Sequence, residues 1–212
     1  MPPVHVPVNL RLCYITDRLT LHPTPLLPFI ERAIIAGVDL IQIREKDLGT
    51  RPLIDLVKPA VESARSTRTR ILVNDRLDVA LGAGAAGVHL GKRSLPPEVV
   101  RERVAADFLV GVSCHSLEDA HEAESGGANY VLLGPIFPTP SKLRYGPPLG
   151  LETLSEVTAR VKIPVLALGG ITVGRVKPCL EAGAAGIAGI SIFQTAASFV
   201  ERVRELRGQF SD

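Results

Sequence analysis

The sequence predicts one α/β domain, a single (β/α)8 TIM barrel. Three observations lead there. Short apolar runs alternate with amphipathic segments from Leu12 to the C-terminus, giving eight strand-then-helix units. A degenerate glycine-containing motif recurs where helices should turn into the next strand. Length alone would also allow two small domains, but the spacing of the units leaves no room for a linker or a second one, so the barrel is expected over residues 10–212, with residues 1–9 a loose N-terminal arm.

The runs, in order, are Leu12–Thr16, Leu40–Ile43, Ile71–Val73, Val88–Leu90, Leu109–Val112, Val131–Leu133, Val165–Leu168 and Ile187–Ile190. Each is short and almost wholly apolar, as a parallel strand buried on both faces requires. Between the second and third runs, Leu53, Leu56, Val57, Ala60, Val61 and Ala64 share one helical stripe. The motif reads Ala36-Gly37-Val38-Asp39, Ala85-Ala86-Gly87-Val88, Gly126-Gly127-Ala128-Asn129 and Ala182-Gly183-Ala184-Ala185. Glycine there ends a helix in the left-handed conformation, and small neighbours allow a tight turn into the barrel wall. The stretch Gly82–Gly87 matches a dinucleotide-binding pattern letter for letter, but it follows a helix and precedes a strand, the reverse of the required order.

Composition narrows the function. A net charge of +2, no Trp and only 4% aromatic residues give no nucleic-acid footprint. No apolar run approaches a membrane span and no secretory leader opens the chain, so a cytoplasmic protein is expected. Cys13, Cys114 and Cys179 fit neither a zinc spacing nor a disulfide framework. The expected partners are small phosphorylated molecules, with self-association into a homo-oligomer left open.

In a barrel of this kind chemistry sits where strands end. The second run holds Gln42 inside its apolar stretch, and alternation puts Gln42, Arg44 and Lys46 on one side and Glu45 on the other. Two cations and an amide aimed into the mouth suit a polyanion. The third run ends in Asn74 and Asp75, suited to Mg²⁺ or to a donor on a heterocycle. Equally, Asp75 could cap a helix over Arg76–Ala83. Lys92 and Arg93, after the fourth run, are placed to face the same anion. The fifth run leads to Ser113-Cys114-His115-Ser116, where neighbours point to opposite faces and so make no Cys–His dyad. His115 is the best general acid/base candidate, against a structural histidine bonded to backbone.

The stretch Tyr130–Lys142 carries a strand, the stop Gly134-Pro135, and then Thr139, Ser141 and Lys142 held between stiffening prolines. Two hydroxyls and a cation suit a phosphate or pyrophosphate; a solvated surface loop is the plain alternative. Gly169 and Gly170 after the seventh run, and Ile190 and Ser191 at the eighth, form a second phosphate site, where bare backbone N–H groups can approach an anion.

In order and spacing these motifs resemble the thiamin phosphate synthase family and its relatives, the TenI-like thiazole tautomerases. The resemblance spans residues 12–194 and rests on 42–46, 73–75, 87–91, 111–116, 134–142, 169–171 and 190–193. It implies a transferase of thiamin biosynthesis that joins an aminopyrimidine diphosphate to a thiazole phosphate and releases pyrophosphate. It further implies that Arg44, Lys46, Asn74, Thr139, Ser141 and Lys142 hold the leaving pyrophosphate together with Mg²⁺. Gln42 matches a pyrimidine contact, Gly170, Ile190 and Ser191 match the thiazole phosphate site, and Ser113 joins the substrate-binding set. Arg44, Lys46, His115 and Lys142 are the catalytic candidates, and Asp75 and Ser94 the metal candidates.

One departure stands out. Synthases typically carry Gly-Gln-Glu-Asp after the fourth strand, where this chain has Gly91-Lys92-Arg93-Ser94. Ser94 thus replaces a second carboxylate on Mg²⁺, leaving Asp75 as the one anionic ligand and the metal site weakened. The TenI-like alternative, an aromatising isomerase, would need only the thiazole phosphate site and His115. A catalytically silent phosphate-binding regulator is the third reading, disfavoured by the full set of strand-end groups.

Overall fold

The computed structural model describes residues 10–139 and 147–210. Among them, eight parallel strands close in chain order: β1 Leu12–Ile15, β2 Leu40–Ile43, β3 Arg70–Asn74, β4 Gly87–Leu90, β5 Leu109–Cys114, β6 Tyr130–Leu133, β7 Val165–Leu168 and β8 Gly186–Gly189, with β8 pairing back onto β1. The helices described are α1 Arg18–Leu21, α2 Leu26–Ile35, α3 Thr50–Ala64, α4 Leu77–Ala83, α5 Pro97–Arg101, α6 Leu117–Ser125, α7 Gly150–Arg160, α8 Val173–Glu181, α9 Ser191–Gln194 and α10 Phe199–Arg207. The predicted (β/α)8 barrel forms; the arm over residues 1–9 lies outside the described residues.

Strands that are apolar on both faces create two cores. Outward residues such as Ile41, Val73, Val88 and Val131 pack against helix residues such as Leu53, Val57, Ala60 and Leu154. Inward residues, among them Ile15, Leu40, Leu72, Leu109, Leu132 and Leu166, fill the barrel. Each side chain of this kind, fully buried, contributes roughly 1.5–3 kcal/mol. The interior also admits one large ring. A Cβ at Gly111 would lie 2.2 Å from the Tyr130 ring, so only glycine on β5 leaves that ring its place.

The strand-to-strand passages behave as the motif suggests, with one shift. Gly37, Gly127 and Gly183 have φ of 83°, 84° and 88° after their helices. In the second unit the left-handed residue is Gly84, at φ 68°, while Gly87 already belongs to β4. Gly87 is small for another reason: a Cβ there would lie 2.3 Å from the Leu109 carbonyl oxygen. Gly82–Gly87 is thus a helix-to-strand turn, as its order implied.

Two strands stop one residue short of their apolar runs. β1 stops at Ile15 because the Thr16 side chain turns to Glu45, although Thr16 N–H still donates to the Gln42 carbonyl at 3.0 Å. β8 stops at Gly189 because Ile190, at φ −104° and ψ −70°, already turns into α9. At the opposite end of the barrel, Asp39 accepts from the N–H groups of Arg11 and Leu12 at 3.0 and 2.8 Å and pairs with Arg207 at 2.6 Å. That end is tied to α10 and the other is left for chemistry. All three cysteines are free and buried, and burial raises the Cys114 thiol to about 12 and that of Cys179 to about 11.

Candidate active site

The exits of β2, β3 and β4 build one polar cluster. Gln42, buried on β2, points its Nε2 at Asn74 Oδ1 on β3 at 3.4 Å. Asn74 Nδ2 in turn donates to Asp75 Oδ2 at 2.7 Å. Asp75 Oδ1 accepts from Gly91 N–H at 3.2 Å and from the Ser94 hydroxyl, which itself accepts from Gly91 N–H at 2.7 Å. Asp75 sits at φ 60°, the only positive φ outside glycine among the described residues, a strained conformation that favours a functional reading. It does not cap α4, whose N-cap is Arg76 and carries no side-chain cap bond. The capping alternative therefore falls, because the carboxylate is turned toward the β4 loop instead.

Electrostatics makes this carboxylate a fixed anion. Partial burial pushes it up, but the Ser94 hydroxyl, Gly91 N–H, Lys46 and Asn74 together hold it below the ordinary value of 3.8. Lys46 and Arg93, both exposed, line a cavity of about 230 Å³ with Asn74 and Asp75. A second cavity of about 520 Å³ opens over Lys46, Asp75, Lys92, Arg93 and Ser94. Lys92 and Arg93 thus share a cavity with Asp75. Arg44 is half-buried, and its charge reaches His89.

His89 and Tyr130 were missed in the sequence. His89 Nε2 lies 2.8 Å from Ser113 Oγ and Nδ1 lies 3.1 Å from the Tyr130 hydroxyl, so a buried polar column rises from the barrel interior to the mouth. The available signal was a histidine inside the apolar run of β4. The same signal had singled out Gln42.

Further round the mouth, Cys114 is buried among outer-core residues while His115 is exposed, so the pair faces opposite ways, as alternation required. His115 Nδ1 lies 2.5 Å from the Gly134 carbonyl oxygen. Thr139 is half-buried at the β6 exit; Ser141 and Lys142 lie outside the described residues.

At β7, Gly169 and Gly170 have φ of 95° and 65°. Their missing side chains serve packing as well as access. A Cβ on Gly169 would lie 2.6 Å from Pro135 Cβ, and one on Gly170 would lie 2.7 Å from the Pro138 carbonyl oxygen. The β6 exit loop therefore rests on the β7 glycines. Arg175 supports both by donating to the Gly170 carbonyl at 2.7 Å and lying over the Phe137 ring at 4.7 Å. Ile190 packs against the interior cluster and Ser191, exposed, begins α9.

The site suits Mg²⁺ on chemical grounds: the ionised Asp75 carboxylate, within the one or two carboxylates that usually hold this ion, has the Ser94 hydroxyl and the Asn74 amide beside it. No cluster of three or more His, Cys, Asp or Glu side chains occurs among the described residues. No helix among them is long and apolar enough to cross a membrane.

Comparison with known proteins points one way. The family model described as thiamine monophosphate synthase matches residues 12–193. A thiamine-phosphate synthase of Roseiflexus castenholzii is 39% identical over 190 residues, covering 89% of this chain and 83% of that protein. One from Syntrophomonas wolfei is 37% identical over 196 residues, covering 92% and 94%. The solved structure of a thiamine phosphate pyrophosphorylase from Pyrococcus furiosus superposes with a TM-score of 0.85 at 37% identity, covering 95% of this chain and 96% of that one.

Proposed function

The chain belongs to the thiamine monophosphate synthase family, and from that premise we infer a transferase that makes thiamin phosphate at this barrel mouth. The carbon–oxygen bond between the pyrimidine methylene and its diphosphate breaks, and the electron pair leaves with pyrophosphate. The thiazole nitrogen supplies the pair for the new carbon–nitrogen bond. The observation that carries this reading is the assembly of Lys46, Asn74 and Asp75 in one cavity, with Arg44 on the same strand exit.

Each group has a part in that reaction. Arg44 and Lys46 stabilise the charge that develops on the departing diphosphate, the largest need of this chemistry. Thr139, Ser141 and Lys142 are the further contacts that the family resemblance implies for the same anion. Mg²⁺, held by Asp75 with Asn74 and Ser94 beside it, would supply further positive charge to the diphosphate. Gln42, next to Asn74, orients the aminopyrimidine, and Ser113 offers a hydroxyl at the mouth end of the His89 column. Gly169, Gly170, Ile190 and Ser191 receive the thiazole phosphate on the opposite arc.

A second reading, isomerisation of a thiazole carboxyl phosphate, is favoured by one observation. With its Nδ1 proton given to the Gly134 carbonyl, His115 presents Nε2 as an accepting base. The decisive experiment incubates the protein with both substrates and Mg²⁺ and follows thiamin phosphate, with a parallel assay of the thiazole isomerisation alone. Thiamin phosphate formation supports the synthase; isomerisation without it supports the alternative.

A further inference from the structure

The residue between Arg44 and Lys46 does something the reaction itself does not name. Glu45 is buried, an unusual place for a carboxylate. Its Oε1 accepts from the Thr16 hydroxyl at 2.5 Å, and its Oε2 accepts from Arg18 N–H at 3.1 Å. Thr16 Oγ1 in turn accepts from the Arg44 backbone N–H at 2.9 Å. A chain of donors therefore runs from Arg44 N–H through Thr16 to the Glu45 carboxylate, each bond polarising the next. Asp47, two residues on, pairs with the Arg18 side chain. Glu45 and Asp47 are thus pinned to the β1 exit, while the charge of Lys46 acts on Asp75 and that of Arg44 reaches His89.

We propose that Thr16 and Glu45 are positioning residues for the diphosphate: they clamp the β2 exit to the β1 exit and so hold Arg44 and Lys46 in register with the leaving group. This rests on the synthase reading above, in which those two cations meet the pyrophosphate. Thr16 and Glu45 are both buried, and Glu45, although it borders the cavity of Lys46, Asn74 and Asp75, spends its carboxylate oxygens on Thr16 and Arg18. Preorganised cations need no reorganisation when charge develops, which is why a clamp one residue away affects the chemistry. A clamp of this kind acts on the β2–β4 arc and leaves the β7–β8 arc alone.

The test is calorimetric titration of inorganic pyrophosphate, with Mg²⁺ present, into the parent, Thr16→Val, Thr16→Ser and Glu45→Gln, with thiazole phosphate titrated in parallel. Thr16→Val keeps the shape and removes both hydroxyl bonds, so pyrophosphate should bind about tenfold more weakly, the scale of one lost hydrogen bond to a charged group. Thr16→Ser should restore parental binding, Glu45→Gln should weaken it in the same direction, and thiazole phosphate should bind all four alike. Parental pyrophosphate affinity in Thr16→Val, or in Glu45→Gln should the first not fold, would overturn the clamp. Equal loss for both ligands would overturn it too, since the role would then be merely structural. A parent that binds thiazole phosphate but no pyrophosphate would overturn the synthase reading and the clamp with it.

Discussion

His89 Nε2 and Ser113 Oγ lie 2.8 Å apart at the top of a polar column inside an otherwise apolar barrel. Below them the Tyr130 hydroxyl, fully buried, gives its proton to His89 Nδ1, since a phenol proton left unbonded in such an interior would be costly. Nε2 then holds the one proton of a neutral imidazole and donates it to Ser113. The Ser113 proton is left for a ligand.

The first prediction is that His89 stays neutral across the working range. Burial drives its pKa down from 6.5 to about 3; Asp75 opposes this and Arg44 adds to it. A histidine depressed on folding takes up its proton more readily in the unfolded chain. The stability it permits is therefore complete above pH 6.5 and declines as pH falls toward about 3, by about 1.4 kcal/mol per pH unit within that window. Imidazole ¹⁵N shifts of His89 should not move between pH 5 and 8. A midpoint in that range would mean that the column is solvated.

The second prediction concerns Gly170. Alanine there meets both a left-handed φ of 65° and the Pro138 carbonyl oxygen at 2.7 Å. Gly170→Ala should cost about 1–3 kcal/mol in a denaturant titration, and should weaken pyrophosphate binding as well, because the β6 exit loop that carries Thr139 rests on this residue. A variant as stable as the parent would show that the loop moves aside without strain.

How much of this was legible beforehand follows from where the information lies. The closed barrel was readable because every strand is apolar on both faces, a property of local composition. Gln42, Asn74 and Asp75 were readable because each marks a change from apolar to polar at a strand's end. The capping alternative for Asp75 could not be resolved, since an Asp before a helix is compatible with both roles until its χ1 direction is known. Alternation set Glu45 apart from Arg44 and Lys46, but its partner Thr16 lies 29 residues away, and no local pattern links them. Tyr130 stands just before the apolar run Val131–Leu133; its hydroxyl contact with His89 exists only because Gly111 leaves the ring space.

The third prediction separates the two activities. His115 is exposed, with Nδ1 against the Gly134 carbonyl at 2.5 Å, which leaves Nε2 as its working atom. Should the thiazole isomerisation be catalysed, His115→Ala should slow it about a hundredfold or more, the usual scale for a general acid/base. Thiamin phosphate formation asks less of a proton carrier and should fall by less. Equal and slight effects on both reactions would leave His115 as a residue that merely ties β5 to β6.

The fourth prediction takes up Ser94. The hydroxyl stands where relatives are expected to have a second carboxylate, and in this chain it donates to Asp75 Oδ1. The remaining carboxylate is thereby kept ionised and aimed, yet the site has one negative charge fewer for Mg²⁺. Lys92 and Arg93 lie beside it, lining the same cavity as Lys46 and Asp75. We propose that they supply part of the positive charge that a tightly held metal would otherwise bring to the diphosphate. Lys92→Ala should then slow pyrophosphate departure even at saturating Mg²⁺. Ser94→Asp should tighten Mg²⁺ binding, measured directly by calorimetry, and in the double variant recover much of the lost rate. The opposing view is that both cations are simply solvated, as exposed Lys and Arg usually are. Initial rates across a Mg²⁺ titration for the parent, each single variant and the pair decide between them. If Lys92→Ala follows the parent at every Mg²⁺ concentration, Lys92 carries none of the charge and the one-carboxylate site works with the metal alone.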